Sequence, residues 1–206
     1  MNSLYDNKIQ LTLARLHKEA EGDSGRWYKD KTTASDDLVR MGELYLAIDE
    51  DEGRLLYILA RSSNAQRIVE FGASYGVSTI YLGAAARDNN ARLITTEVHP
   101  KKCAAVKQNV LSAGLSDVVE LQEGDARDTL RNVEGPVDFV FLDGWKGMYL
   151  PVLEILKPEL SSGALVVADN IGHKAARDYC RIVRSTDSGF VSTTVGKQEI
   201  SVFTGD

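Results

Sequence analysis

Residues 67–82, RIVEFGASYGVSTIYL, constrain the fold more than any other stretch of the chain. A short apolar run, Ile68-Val69, ends in Glu70-Phe71. Gly72 and Gly76 follow, and a new apolar period begins at Val77. A β-branched run, then glycines, then a helical period reads as strand, tight loop, helix. In an open α/β sheet such a junction lies at the carboxyl end of a central strand, where ligands bind. Glycines there let the backbone come close to a ligand, because no Cβ intervenes. The amides at the helix start, with the Ser78 and Thr79 hydroxyls, can hold a carboxylate or a phosphate. The dinucleotide fingerprint G-x-G-x-x-G is absent, since Ala73 and Ser74 follow Gly72, and no phosphate loop ending in G-K-[ST] occurs. The bland alternative is an ordinary β–α turn.

The remaining chain repeats the alternation. Strands are expected at 92–98, 117–122, 137–142 and 164–168, with helices at 101–113, 149–156 and 174–184 between or after them. Segments 190–195 and 200–203 are joined only by a short turn through Gly196, so they are expected to be antiparallel. Alternating strands and helices imply a doubly wound, mostly parallel sheet covered on both faces. Ahead of the first strand, helices are expected at 4–21, at 35–47 with Ser35 as cap, and at 50–61 with Leu55, Leu56, Ile58 and Leu59 buried. Gly22-Asp23-Ser24-Gly25 breaks the first of them. These helices are expected to cover the active site, form a dimer surface, or both.

With 206 residues, one domain is expected: an amino-terminal helical cap, 1–62, on an α/β core, 66–206. No apolar run is long enough for a membrane span. The start of the chain is too polar for a signal peptide. Cys103 and Cys180 are isolated, without metal-type spacing, which suits reduced thiols in a cytoplasmic protein. A net charge of −6 with scattered Lys and Arg argues against nucleic acid as a partner. The acidic run 49–52 suits a helix amino terminus.

The acidic end of the first strand followed by G-x-x-x-G resembles motif I of S-adenosylmethionine (SAM)-dependent methyltransferases. SAM carries an amine, a carboxylate and a ribose, so it needs mixed polarity and no phosphate cradle. Glu97, ending the second strand, can accept from both hydroxyls of a ribose, as in other nucleoside-binding α/β folds; a surface carboxylate is the alternative. Asp125-Ala126, after the third strand, would lie beside the adenine, with Asp125 accepting from its amine. A cap for the 125–132 segment is the competing role for Asp125.

Asp143 ends the fourth strand and Asp169-Asn170 end the fifth. One crossover helix separates these strands, so their carboxyl ends should be adjacent. Two carboxylates and an amide oxygen form a hard-oxygen set, suited to Mg²⁺, or to Ca²⁺ or Mn²⁺, rather than zinc. Lys146 lies on the loop beside the same centre. Like charge from the cation and from a sulfonium disfavours its protonated form, so it can take a proton near neutral pH.

The string LDGWKGMYLPVLE followed by LVVADNI closely resembles the metal-dependent catechol O-methyltransferases and the related caffeoyl-CoA O-methyltransferases. The likeness runs from about 46 to 203 and is tightest at 69–78 and 139–170. It implies a class I methyltransferase, Rossmann-like sheet of seven strands with an antiparallel last strand and amino-terminal helices. It implies Mg²⁺ on Asp143, Asp169 and Asn170, and Lys146 as catalytic base. The cofactor set is then Ile48, Glu70, Gly72, Ala73, Ser74, Gly76, Ser78, Glu97, Val98, Asp125, Ala126, Asp143 and Trp145. Trp145 borders the adenine and the substrate entrance, and 46–48 lie over the methionine part of SAM. The acceptor implied is a small aromatic with two adjacent hydroxyls. Apart from the likeness, a homodimer through the amino-terminal helices is expected. Two departures bear on the acceptor pocket. The catechol enzymes carry a glutamate in a longer segment before the last strand, whereas Glu199 falls in the final hairpin and inherits no such role. The first 45 residues match nothing in the family. His173 is a pocket or loop residue, His99 flanks the adenosine site through its backbone, and Trp27, Tyr28 and Met41 are lid or core residues. A metal-independent methyltransferase and a non-catalytic SAM-binding subunit are the competing readings. A nicotinamide-dependent dehydrogenase is disfavoured by the missing glycines.

Overall fold

The computed structural model describes residues 2–22 and 42–205. Ser35, Trp27, Tyr28 and Met41, and with them most of the second expected helix, lie outside the described residues. Among the described residues seven strands form one sheet: β1 (Arg67–Phe71), β2 (Arg92–Glu97), β3 (Val119–Glu123), β4 (Val137–Leu142), β5 (Leu160–Ala168), β6 (Phe190–Val195) and β7 (Gln198–Phe203). Their order is β3-β2-β1-β4-β5-β7-β6. β1 to β5 run parallel to one another, and β7 runs antiparallel to both β5 and β6. That is the class I methyltransferase arrangement the sequence implied.

Side chains alternate across the sheet, so each central strand feeds two cores. Ile68, Phe139, Phe141 and Val167 join one of them, with the faces of α1 (Asn7–Ala20), α2 (Glu50–Ser62), α3 (Val77–Asn89) and α4 (Pro100–Ser112). Val69, Phe71, Val140, Leu142 and Val166 join the other, under α5 (Ala126–Thr129), α6 (Tyr149–Leu156) and α7 (Arg177–Val183). Burial on both faces explains why 137–142 reads as a nearly unbroken apolar run. Each such Phe or Leu contributes about 1.5–3 kcal/mol by leaving water.

Two expectations ahead of β1 need correction. Residues 42–47 are not helical: Gly42-Glu43 form a turn and 44–49 have no regular structure, with Leu46 at φ 50°. Their carbonyls serve side chains of the β1–α3 loop instead of a helix, since the Ser74 hydroxyl donates to Tyr45 O and the Tyr75 hydroxyl to Gly42 O. In α2 the buried residues are Gly53, Leu56, Tyr57 and Ala60, while Ile58 is exposed. The Tyr81 ring of α3 sets this face, because a Cβ on Gly53 would stand 2.3 Å from it. The acidic run does begin α2: Asp49 and Glu52 form a reciprocal capping box. No helix among the described residues is long and apolar enough to cross a membrane.

Candidate active site

The strand order reverses between β1 and β4, so the carboxyl ends of these strands frame a crevice. Backbone bonds lace the tips together: Asp143 N donates to Phe71 O (2.9 Å), and Asp169 N to Leu142 O (3.0 Å). The loops after β1, β4 and β5 therefore leave the sheet side by side, which brings Gly72, Asp143 and Asp169 to one end of it.

The β1–α3 loop is a close-fitting cradle. Gly72 adopts φ +97°, and a Cβ on it would lie 2.6 Å from Gly144 N. Gly72→Ala is expected to cost about 2–4 kcal/mol in urea unfolding, through a left-handed backbone and a backbone clash together. Gly76, at φ +89°, turns the chain into α3. Ser74 N donates to Glu97 Oε2 (2.8 Å), while Val98 N and His99 N donate to Glu97 Oε1 (both 2.9 Å). Three amides thus fix Glu97 at the tip of β2. Ile48 and Ala73 are buried, and Val98 and Trp145 are about half exposed. Residues 44–49 run beside the cradle, where the Tyr45 and Tyr75 rings stack with centroids 4.0 Å apart.

Glu70 points into the protein. Its Oε2 accepts from Thr79 Oγ1 (2.5 Å) and Thr95 Oγ1 (2.6 Å), and its buried Oε1 has no partner. Burial raises its pKa, against the hydroxyls of Ser78, Thr79 and Thr95. Glu70 and Ser78 therefore fix the base of the junction from beneath. Asp125 caps α5, and Arg127 engages both of its oxygens (Nη2–Oδ2 2.6 Å). That bond is the main reason its pKa falls to about 2. An adenine amine would have to share Asp125 with Arg127. Ala126 beside it is buried. His173 is an exposed cap, its Nδ1 accepting from Ala175 N. Glu199 is buried and accepts from Arg184 Nε (2.7 Å) and Nη2 (2.6 Å), so its carboxylate is committed elsewhere.

Charge concentrates at the tips of β4 and β5. Lys146 Nζ donates to Asp143 Oδ1 at 2.8 Å, both side chains being largely withdrawn from water. Burial pushes Asp143 up to about 7; Lys146 opposes the rise, and Asp169 and Glu70 add to it. Asp169 is buried too, and burial raises its pKa, against Lys197 and with Glu52. Its Oδ2 accepts from Asn170 Nδ2, and its Oδ1, buried, has no partner. Among the described residues no three His, Cys, Asp or Glu side chains cluster for a metal; this set is two carboxylates and an amide. A divalent cation fits it. The two mutually repelling carboxylates lack full counter-charge, one oxygen is orphaned, and all the donors are hard oxygens. Asn170 would have to turn its amide oxygen, rather than its nitrogen, toward the ion.

The raised Asp143 makes a prediction with a definite sign. Its folded state holds the proton more tightly than the unfolded chain, so cation-free stability falls as pH rises from about 4 to about 7. A loss of up to about 4 kcal/mol is expected in chelator-treated melts, and Asp143→Asn should flatten that slope.

Tyr149 is a site residue that the sequence showed only as a helix start. Its hydroxyl donates to Asp169 O (2.9 Å), and Lys146 Nζ sits 5.2 Å from its ring centroid. Tyr149→Phe orphans a buried carbonyl and should cost about 1–2 kcal/mol in denaturant unfolding. Lys197 and Glu52 were missed as well. They form an ion pair of 2.9 Å beside Asp169. Two cavities lie away from the strand tips, one between α1 and α2 around His17 and Tyr81, the other beside Arg67, Glu120 and Gln122.

Residues 69–171 match the methyltransferase domain family. The catechol O-methyltransferase of Niastella koreensis is 34% identical over 142 residues, 67% of this chain and 64% of that protein. Catechol O-methyltransferase B of Danio rerio is 30% identical over 163 residues, 76% of this chain and 61% of that protein. The chain thus covers less than two thirds of the length of these relatives. The crystal structure of O-methyltransferase TomG from Streptomyces achromogenes, in complex with SAM, superposes with a TM-score of 0.71 at 26% identity, covering 92% of this chain and 99% of that one. Sheet order, strand-tip geometry and these likenesses agree: the chain belongs to the methyltransferase domain family.

Proposed function

We propose that the protein transfers the methyl group of SAM to one hydroxyl of a small aromatic bearing two adjacent hydroxyls, with a divalent cation at Asp143, Asp169 and Asn170. The observation that carries this reading is the Lys146 ammonium, 2.8 Å from Asp143 and beside an Asp169 whose second oxygen is buried without a partner. A binding module needs neither a withdrawn lysine nor, beside it, a second buried carboxylate with an orphan oxygen.

The Gly72–Gly76 loop gives the methyl donor a backbone surface free of side chains, and Glu97 offers a rigid acceptor for ribose hydroxyls. When bound, the cation supplies Lewis acidity and a template for two adjacent oxygens. Lys146 Nζ, as the free amine, takes the proton of the reacting hydroxyl. The O–CH₃ bond forms as the S–CH₃ bond breaks, leaving S-adenosylhomocysteine and a protonated Lys146. Residues 44–49 and the Tyr149 pedestal hold the surroundings in place, so that much of the acceleration comes from orientation. One observation favours a metal-free version: Lys146 and Lys197 already bring two positive charges to the two carboxylates.

The test is a screen of catechols, monophenols and non-aromatic diols with labelled SAM. Label should pass to catechols at least about tenfold faster than to monophenols, which offer a shared ion one oxygen instead of two. Equal transfer to monophenols would end the vicinal-hydroxyl reading.

A further inference from the structure

The β6–β7 hairpin delivers a cation to the site that the mechanism above does not use. The β5–β7 register pairs Ala168 with Glu199, so two further steps along the same register set Lys197 opposite Asn170. Ile171 N donates to Lys197 O (3.1 Å), which ties the hairpin turn to the loop after Asn170. Gly196, at φ +60°, allows this two-residue turn. The Lys197 ammonium lies 2.9 Å from Glu52 Oε1 and 3.9 Å from Asp169 Oδ2. The second distance is too long for a hydrogen bond. Its side chain is about half exposed, whereas Glu52 is largely covered. The ammonium therefore stands at the rim of the strand-tip centre, held by one carboxylate and open to water on its other side.

We infer that Lys197 selects acceptors carrying an acidic group, so that the preferred acceptor is a dihydroxy aromatic acid rather than a neutral catechol. The inference rests on the proposed O-methylation at this site. A divalent ion on Asp143 and Asp169 would cancel the pull of Asp169 on Lys197 and leave the rim positive. A neutral catechol gains nothing from that charge, whereas a ring carboxylate gains a charge-assisted hydrogen bond. Glu52 competes for the same ammonium and tempers the preference.

The experiment compares 3,4-dihydroxybenzoate with unsubstituted catechol as acceptors and, by calorimetry with S-adenosylhomocysteine and Mg²⁺, as ligands. In the native chain the acid should lead by about fivefold in both kcat/KM and affinity, mostly through KM. Lys197→Met should erase that lead and Lys197→Arg should keep it. Glu52→Gln retains a capping residue for α2 but gives up the competing charge, so it should widen the lead. A purely structural Lys197–Glu52 pair would move both acceptors together and would not make the two variants act in opposite directions. An unchanged acid-to-neutral ratio in Lys197→Met overturns the inference and leaves the O-methylation reading standing. Failure of the native chain to bind or methylate either compound overturns both.

Discussion

Lys146→Ala should lower kcat for catechol methylation by about 10²–10⁴-fold while leaving SAM affinity nearly unchanged. The asymmetry follows from where the side chain ends. Its amine reaches Asp143 and lies over the Tyr149 ring, whereas the surfaces proposed for the cofactor are the Gly72 cradle and Glu97. Removing Lys146 takes away the proton acceptor and leaves that cradle intact. It also takes a counter-charge from buried Asp143, so some loss of stability is expected, and melting curves must accompany the kinetics. A pre-steady-state measurement with saturating SAM isolates the chemical step. A variant that keeps native kcat but binds SAM poorly would mean that Lys146 is a cofactor ligand and not the base.

Asp169→Ala should abolish metal-stimulated turnover and weaken binding of Mg²⁺ or Mn²⁺ by more than about 100-fold, more than the loss of a supporting partner gives. The same variant should not collapse. Asp169 is a buried carboxylate with an orphan oxygen, repelled by Asp143 and Glu52, so its charge costs the cation-free chain stability. Calorimetric titration with Mn²⁺ reads the first effect and thermal melts with chelator the second. Native Mn²⁺ affinity in Asp169→Ala would move the ion elsewhere. A large fall in melting temperature without any change in cation binding would make Asp169 a structural residue.

Much of this site was legible in the sequence because local periods fixed the strands whose ends carry it. The run 137–142 and the helix at 149–156 match β4 and α6, since both are buried segments closed by unambiguous breakers. With β4 and β5 adjacent, the meeting of Asp143 and Asp169 followed from topology. What sequence could not show was direction and register. Glu70 reads as a tip residue, yet strand alternation turns it opposite to Val69 and Phe71, toward Thr79 and Thr95. Asp125 reads as an available acceptor, but Arg127, two residues on, folds back onto it. Residues 42–47 carry a helical apolar pattern, and tertiary bonds from Ser74 and Tyr75 override it. Lys197 reads as a turn lysine until the β5–β7 pairing places it opposite Asn170. Each miss involves a partner far along the chain, or a side-chain direction, that no local pattern encodes.

Methyl transfer from labelled SAM to a catechol, in one sample first stripped with excess chelator and then refilled with Mg²⁺, is the most direct check on a shared ion at Asp143 and Asp169. Turnover should drop to background on stripping and return in full on refilling. Undiminished turnover in the chelator would contradict the shared ion and leave the lysines to balance the carboxylates unaided.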